Sequence, residues 1–371
     1  MKPFAYQAPT SIGEAIALLA DTSRNARPLA GGTDLLVQLR RGVCEAELLV
    51  DVKRIPELNR LSFDPAAGLT VGAAVSCARL CEHADVWSVY PGLVDAASLI
   101  GGTAIQARAT LGGNLCNAAP SGDSIPAMIA LRATCTVAGP QGTRTVPAEA
   151  FCTAPEKTVL SKCEILVSVH FPLPAPHSGA CYVRFTPRRE MDIAVAGAAA
   201  WIELSDDHSR IMDARIALAA VAPIPLFADA ASAALISKPP TEEAFAEAAG
   251  LAQAAARPIT DVRGTAALRR HLVGVLVRRA LRGANGRAKA RHPELVEARH
   301  PELVEGSRPE PVEGRHPELV EGRHPELAEG SHPEPAEGRH PELAEGSHPE
   351  PVEGRHPELA EGSRPESAKE A

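Results

Sequence analysis

The first fifty residues alternate between helix-like and strand-like patterns of apolar positions. Behind a polar pair, Ser11 and Glu14, apolar residues recur at the spacing of one helix face, at Ile12, Ala15, Ile16 and Leu19. Two short apolar runs at 27–30 and 48–52 have the length of strands, and a helical pattern over 34–40 lies between them. This strand–helix alternation predicts a small parallel sheet covered by helices.

Residues 55–175 carry a different arrangement, in which a helical middle lies between strand-like runs. Branched residues predict strands at Leu69–Val71, Thr134–Ala138, Arg144–Val146 and Glu164–Phe171. Helical spacing predicts helices at Ser76–His83, Pro91–Ile100 and Ile125–Leu131. The segment 100–110 is rich in glycine and polar residues, so we expect no regular element there.

A connector at 172–176 contains three prolines and marks a domain boundary, because successive prolines block both helix and sheet hydrogen bonding. Strands are predicted after it at Ala180–Phe185, Ile193–Leu204 and Ile211–Val221. Helices are predicted next, at Leu226–Leu235, Glu242–Ala254 and Thr265–Leu281. Strands followed by helices are typical of an α+β domain. We therefore predict domains at 1–175, with subdomains 1–54 and 55–175, and at 176–285, followed by a tail at 286–371.

The tail is a repeat of nearly constant length. From His292 onward, units such as His-Pro-Glu-Leu-Val-Glu-Gly-Ser recur every eight residues. Proline in every unit, dense charge and the lack of aromatic residues leave too little apolar surface to fold, which predicts disorder. Eight of the thirteen histidines lie here, so a histidine-rich metal site is the alternative.

Most of the net charge of −8 comes from the tail. From Gly286 onward there are eleven basic and twenty acidic residues, whereas the rest of the chain holds 27 basic and 26 acidic ones. A nearly neutral body argues against a nucleic-acid partner, because duplex binding needs a basic face.

The cysteines and the hydropathy point to a soluble, cytoplasmic protein. All eight cysteines lie between Cys44 and Cys181, with no secretory signal before them, so reduced thiols are expected. Cys77 and Cys81 are the one close pair, and we interpret them as small buried apolar residues rather than metal ligands. No apolar run approaches the ~20 residues that span a bilayer.

Two glycine pairs are the most informative features. Ala30-Gly31-Gly32-Thr33-Asp34 follows a predicted strand and opens a predicted helix, and Thr110-Leu111-Gly112-Gly113-Asn114 lies further along the chain. Glycine lets a backbone approach a ligand closely, and N–H groups that turn toward one point bind phosphate. Asp123 adds an acceptor for a ribose hydroxyl or an adenine amine. With neither a P-loop nor a GxGxxG spacing present, the two motifs predict a ligand with two phosphates between two subdomains.

Together, AGGTDLLVQLR and TLGGN…SGD…P resemble the motifs of the FAD-binding subunits of the xanthine dehydrogenase and carbon monoxide dehydrogenase family. The resemblance extends over residues 1–285. It implies a two-subdomain FAD-binding fold of the vanillyl-alcohol-oxidase type, followed by an α+β C-terminal domain with a small antiparallel sheet and helices.

The resemblance also implies which residues bind FAD, noncovalently. Ile100 is expected to pack on the flavin ring with Leu166 near it, and the segment from Tyr182 is expected to bring Tyr182 and Arg184 to the flavin edge. For the arginines of that segment, a solvated strand face with salt bridges to Glu190 is the alternative, and Asp34 serves equally to complement its helix dipole. The candidate FAD-binding residues are Ala30, Gly31, Gly32, Thr33, Asp34, Leu35, Ile100, Thr110, Leu111, Gly112, Gly113, Asn114, Asn117, Asp123, Leu166, Tyr182 and Arg184.

The implied function is that of the medium subunit of a molybdenum hydroxylase. Such a chain passes electrons from [2Fe–2S] clusters on a small partner subunit through FAD to an external acceptor. A large subunit holds the molybdenum cofactor, and the organic substrate does not contact this chain. The expected assembly is a dimer of heterotrimers. The sequence itself shows no nucleophile motif, no metal-ligand spacing in the body and no iron–sulfur cysteine pattern. A stand-alone FAD oxidoreductase and a non-catalytic scaffold are the alternatives.

Overall fold

The computed structural model describes residues 2–188 and 191–291, and its first elements form the predicted parallel sheet. They are β1 (Ala5–Gln7), α1 (Ile12–Ala20), β2 (Ala26–Leu29), α2 (Leu35–Arg41) and β3 (Leu48–Asp51). The middle strand, β3, pairs in parallel with β1 and β2. Ser11 caps α1 by accepting a hydrogen bond from the N–H of Glu14, and the Glu14 carboxylate accepts one from the N–H of Thr10.

The second region is built on an antiparallel sheet. Its strands are β4 (Leu61–Asp64), β5 (Gly68–Gly72), β6 (Thr134–Gly139), β7 (Gly142–Pro147), β8 (Cys152–Ala154), β9 (Lys157–Thr158) and β10 (Ile165–Phe171). Five of them form the sheet in the order β4-β5-β10-β6-β7, and β8 pairs with β9. The helices between β5 and β6 are α3 (Cys77–Glu82), α4 (Ala84–Val89), α5 (Pro91–Ala97), α6 (Thr103–Gln106), α7 (Leu111–Asn117) and α8 (Ser124–Ala130).

One local expectation in this region was wrong. The segment 100–110 contains the short helix α6, which begins after Gly101 turns the chain with a φ of +63°. The glycines of the second motif lie in the first turn of α7. Thr110 caps that helix, and its hydroxyl oxygen accepts the N–H of Gly113 at 2.8 Å.

The C-terminal region is the predicted meander followed by helices. Its elements are β11 (Ser178–Phe185), β12 (Ala196–Leu204), β13 (Ile211–Ala219), β14 (Leu226–Phe227), α9 (Asp229–Ala233), α10 (Glu242–Ala255) and α11 (Ala266–Ala290). The four strands form one antiparallel sheet in chain order. The predicted helix at 226–235 is in fact β14 and α9, because Leu226 and Phe227 pair with β13. The last helix passes residue 285, where we placed the end of the domain, and ends at Ala290.

Strand β11 joins the C-terminal region to the rest of the fold, because helices pack on it at backbone contact distance. A Cβ added to Gly179 would lie 2.2 Å from the carbonyl oxygen of Ala284 in α11. A Cβ added to Gly92 in α5 would lie 2.7 Å from the Cβ of Ala180. Because glycine has no side chain, Gly179 and Gly92 allow one helix of each region to lie against the same strand.

The C-terminal turn of α11 is part of this junction, which leads to a prediction about truncation. Arg287 donates to both carboxylate oxygens of Asp95 on α5 and to the carbonyl of Ala180. Arg291 donates to the carbonyl of Val89. Truncation after Gly286 removes these bonds, and we expect a melting temperature lower by several degrees, since charged hydrogen bonds contribute ~1.5–3 kcal/mol each.

Truncation after Arg291 is the matched control, because it removes none of the contacts described here, and differential scanning calorimetry compares the two chains. Equal melting temperatures for both truncations would contradict the prediction. The predicted disorder of the tail and its histidine-rich alternative concern residues 292–371, which lie outside the described part of the chain.

Two features are absent from the described residues, a membrane-spanning helix and a cluster of metal-binding side chains. None of the helices within 2–188 and 191–291 is long and apolar enough to cross a membrane. No group of three or more His, Cys, Asp or Glu side chains in the same ranges could hold a metal ion.

Candidate functional site

The two glycine motifs meet at one cavity of about 320 Å³. The cavity lies between the parallel-sheet region and the helices of the second region. Most of the predicted site residues line it, and these are Ala30, Gly31, Gly32, Thr33, Asp34, Leu35, Ile100, Thr110, Gly112, Gly113, Asn114, Asn117 and Leu166. The remaining four, Leu111, Asp123, Tyr182 and Arg184, do not line it.

Gly31 brings the two motifs together. A Cβ added to Gly31 would lie 2.0 Å from the carbonyl oxygen of Arg108 and 3.1 Å from the Cα of Ala109. Gly112 makes a similar backbone contact, because its added Cβ would lie 2.5 Å from the carbonyl oxygen of Ala73. These two glycines therefore permit close packing of the chain on itself, a role that the motif alone does not reveal.

The other glycine of each pair is placed differently. Gly32 has a φ of +77°, in the left-handed region where glycine is favoured. Gly113 is the most open of the four, since an added Cβ would meet only the Thr110 hydroxyl oxygen, at 3.0 Å. Because Gly113 lines the cavity and an added Cβ would meet no backbone atom there, this is the position where a bound ligand is able to approach the backbone closely.

The backbone around the cavity presents N–H groups for which the described residues provide no partner. The N–H groups of residues 31–35 donate to no acceptor found in the described part of the chain, and the same holds there for Leu111 and Gly112. Main-chain N–H groups in proteins are nearly always paired with protein, water or ligand. Such donors around one cavity suit the oxygens of a diphosphate.

Charged side chains that the sequence did not single out also line the cavity. Lys162 makes no ion pair within the described residues, and Arg27 donates its Nε–H to the carbonyl of Glu45. Glu164 lines the cavity too, but Arg144 binds it at 2.8 Å. Hydrogen bonds from Arg144 and from Ser161 lower the pKa of Glu164 to about 2, so its carboxylate is ionised at neutral pH. Lys162 thus supplies the cavity with a positive charge that no ion pair within the described residues holds.

Asp34 lines the cavity at the position that precedes α2, and its side chain makes no capping hydrogen bond. Contact with the flavin and complement to the helix dipole both remain predictions for this residue.

Asn117 and Gln38 connect the two motifs, since the Gln38 side chain donates to Asn117 Oδ1 at 2.9 Å.

Asp123, Tyr182 and Arg184 form a cluster of their own, which joins α8 to β11. The Tyr182 hydroxyl donates to Asp123 Oδ1 at 2.7 Å, and Arg184 forms an ion pair with Asp123 Oδ2. The Asp123 and Arg184 side chains are 9% and 6% exposed. Burial raises the pKa of Asp123, while Arg184 and Tyr182 act in the opposite direction. Burial, followed by the Asp123 charge, raises the pKa of Tyr182 well above its usual value.

The C-terminal region approaches the Ile100 side of the cavity through a different residue. A Cβ added to Gly102 would lie 3.3 Å from Met191 Sδ, so Met191 packs beside the loop that follows Ile100. Nothing in the sequence distinguished Met191 from the neighbouring Asp192. The alternative salt bridges of this segment involved Glu190, which lies outside the described residues.

The cavity lining suits FAD on chemical grounds. N–H groups without a partner among the described residues, together with Lys162, provide donors and positive charge for a diphosphate. Aliphatic side chains provide an apolar surface for a planar ring, at Leu58, Ile100, Ile165 and Leu166. Both features are found in one continuous cavity, as a dinucleotide requires.

Comparisons with known proteins agree with this chemistry. Residues 2–174 match the family described as "FAD binding domain in molybdopterin dehydrogenase", and residues 182–284 match "CO dehydrogenase flavoprotein C-terminal domain". The medium chain of carbon monoxide dehydrogenase from Hydrogenophaga pseudoflava is 34% identical over 281 residues, which are 76% of this chain and 96% of the relative. The xanthine dehydrogenase FAD-binding subunit from Escherichia coli O157:H7 is 36% identical over 223 residues, 60% of this chain and 75% of the relative.

Solved structures show the same relationship. A carbon monoxide dehydrogenase from Hydrogenophaga pseudoflava that lacks the Mo-pyranopterin moiety superposes with a TM-score of 0.74 at 36% identity, covering 77% of this chain and 99% of that one. Quinoline 2-oxidoreductase from Pseudomonas putida 86 superposes with a TM-score of 0.71 at 33% identity, covering 78% and 99%. The chain, an oxidoreductase subunit with an FAD-binding domain, belongs to the family of FAD-binding medium subunits of carbon monoxide and xanthine dehydrogenases.

Proposed function

We propose that this chain passes electrons from [2Fe–2S] clusters of a small partner subunit, through FAD, to an external acceptor. A large partner subunit holds the molybdenum cofactor and the organic substrate, and the assembly is a cytoplasmic dimer of heterotrimers. The observation that supports this most is the cavity, in which both glycine motifs present partnerless N–H groups. The relatives support the subunit role, since their names are those of medium chains and FAD-binding subunits.

The chain's own residues bind and orient the cofactor. FAD, when bound, supplies redox chemistry that links one-electron and two-electron carriers. The N–H groups of residues 31–35 and Gly112 would hold the diphosphate, and Lys162 adds a positive charge to the same cavity. Ile100 and Leu166 hold the ring by apolar contact and exclude water from its surface.

The electrons enter on the Ile100 side of the cavity. Met191 packs beside the loop after Ile100, and it is 55% exposed. Phe185 and Ile193 of the same segment are 40% and 47% exposed. Apolar side chains that remain exposed next to a redox site suit contact with a partner subunit.

Our proposed domains, 1–175 and 176–285, are supported by the family matches at 2–174 and 182–284, with α11 extending the second domain to Ala290.

The FAD is expected to be noncovalent and present at near one per chain. Purified protein should be yellow, and denaturation followed by filtration should release the flavin into the filtrate, because the cavity offers hydrogen bonds and apolar contacts for binding. Flavin that remains on the denatured polypeptide would show a covalent link instead.

Turnover measurements test the subunit role. Expressed alone, the full chain should contain FAD yet oxidise no aldehyde, purine or carbon monoxide, while its chemically reduced flavin should still reduce an artificial acceptor. Co-expression with an iron–sulfur subunit and a molybdenum subunit from the same organism should give a stable complex with activity. Substrate oxidation by the chain alone would replace this proposal with the stand-alone oxidoreductase.

A further inference from the structure

Two asparagines of α7 line the cavity, and each has its carbonyl oxygen occupied by a neighbouring side chain. Asn114 Oδ1 accepts a hydrogen bond from the Ser124 hydroxyl at 2.7 Å. Asn117 Oδ1 accepts one from the Gln38 amide at 2.9 Å. No acceptor for the amide N–H groups of Asn114 or Asn117 is found among residues 2–188 and 191–291.

The direction of the Ser124 bond follows from burial. Ser124 is 0% exposed, so its hydroxyl hydrogen must be donated within the protein. Asn114 Oδ1 is the acceptor that the described residues provide for it. The oxygen and the nitrogen of an amide group branch from the same carbon in different directions. When Ser124 holds the oxygen of Asn114, the NH₂ group is therefore left for an acceptor outside the described residues, and Asn114 itself lines the cavity.

The Cys44 thiol orients the hydrogen bond between Gln38 and Asn117. The thiol of Cys44 contacts Gln38 Oε1 at 3.9 Å, which leaves the Gln38 NH₂ group for Asn117. Gln38 belongs to α2 and Asn117 to α7, so this bond also connects the two glycine motifs. As with Asn114, the occupied oxygen leaves the Asn117 NH₂ group as the free end of the side chain.

We propose that Ser124 and Gln38 are positioning residues, which hold Asn114 and Asn117 with their NH₂ groups directed at acceptor atoms of the bound FAD. Ser124 does not line the cavity and needs no contact with the cofactor, whereas Gln38 lines it and the role proposed for Gln38 acts through Asn117. The inference rests on the proposed assignment of Asn114 and Asn117 as FAD contacts. Without the two positioning residues, each amide is free to rotate and to present its oxygen, which repels the phosphate and carbonyl oxygens of FAD.

A double-mutant cycle tests the Ser124–Asn114 pair. FAD is removed from the full-length protein, and the dissociation constant for added FAD is measured by fluorescence quenching. We expect Ser124→Ala to weaken binding ~3–10-fold, the range for one hydrogen bond, and Ser124→Thr to restore most of the affinity because it keeps the hydroxyl. In the Asn114→Ala background, Ser124→Ala should have no further effect, since no amide is left to orient.

The same cycle with Gln38→Met and Asn117→Ala provides an independent second pair, in case Ser124→Ala lowers the yield of folded protein. Ser232→Ala is the matched control for a buried serine, because Ser232 is 3% exposed and its hydroxyl bonds lie at Ala228 and Ile216, away from the cavity lining. This control should leave the FAD dissociation constant unchanged.

The outcomes separate this inference from the site assignment. If Ser124→Ala weakens binding by the same factor in the wild-type and Asn114→Ala backgrounds, Ser124 acts on the fold rather than through Asn114, and the positioning role is overturned while the FAD site stands. If Asn114→Ala and Asn117→Ala both bind FAD as tightly as the wild type, the assignment of these two contacts fails, and the positioning role fails with it.

Discussion

Gly31→Ala is expected to separate the two glycine motifs and to remove FAD from the purified protein. The new Cβ would lie 2.0 Å from the carbonyl oxygen of Arg108, a backbone atom that cannot rotate away. The segment 30–35 must therefore move away from the segment 108–110. As a result, the N–H groups on the two sides of the cavity no longer face the same ligand. We expect a loss of FAD affinity of at least ~100-fold, or ~3 kcal/mol, measured as the flavin absorbance per chain and by titration with FAD.

Substitutions at Gly113 are the matched comparison, because the Cβ there meets only the Thr110 hydroxyl oxygen, at 3.0 Å. Gly113→Ala should fold with a melting temperature close to that of the wild type. Gly113→Val should also fold, yet it should lose FAD, since its methyl groups extend into the space from which a ligand approaches the backbone. If Gly31→Ala retains full flavin content, the contact with Arg108 does not set the shape of the site.

Asp123→Ala is expected to destabilise the whole folded unit, because it leaves a buried guanidinium without its carboxylate. The Arg184 side chain is 6% exposed and pairs with Asp123, which also accepts the Tyr182 hydroxyl. Removal of one partner of a buried ion pair costs ~3–5 kcal/mol. The melting temperature, measured on protein with and without FAD, should therefore fall by ~10 °C.

Removal of both charges should reverse part of this loss. In Asp123→Ala/Arg184→Met no unpaired charge remains, and an apolar chain of similar length fills the space beside β11, so the double variant should be more stable than Asp123→Ala. The sequence pattern favoured a different result, a direct contact of Asp123 with ribose or adenine. An unchanged melting temperature of the FAD-free Asp123→Ala protein, together with weaker FAD binding, would support that contact instead of the structural role.

Local patterns accounted for most of the elements but not for all of them. Helix α1 and the parallel strands beside it follow from apolar spacing and a capping residue, which act within a few positions of each other. The strand β14 did not follow, because Leu226 and Phe227 pair with β13 across a turn that carries no strand signal of its own. The end of α11 was also missed, because Arg287 is held by Asp95 of a distant helix.

For the site, the glycine pairs were sufficient to identify the two segments that line the cavity. They were not sufficient to assign a role to each glycine, since Gly31 and Gly113 look alike in the sequence and differ in what lies beside their Cα atoms. Lys162 was missed because it lies in a loop without a motif, and the chain before β10 brings it to the cavity wall.

The sequence by itself determined most of the strands and helices, the two glycine motifs and the family to which they point. These features depend on residue type and spacing over short stretches, where backbone preferences act directly. Only the tertiary structure decided that Gly31 contacts Arg108, that Asp123 pairs with Arg184, and that Ser124 and Gln38 hold the two asparagines. Each of these contacts joins separate elements of the fold, so it exists only after the chain has packed and depends on distances that no local pattern contains.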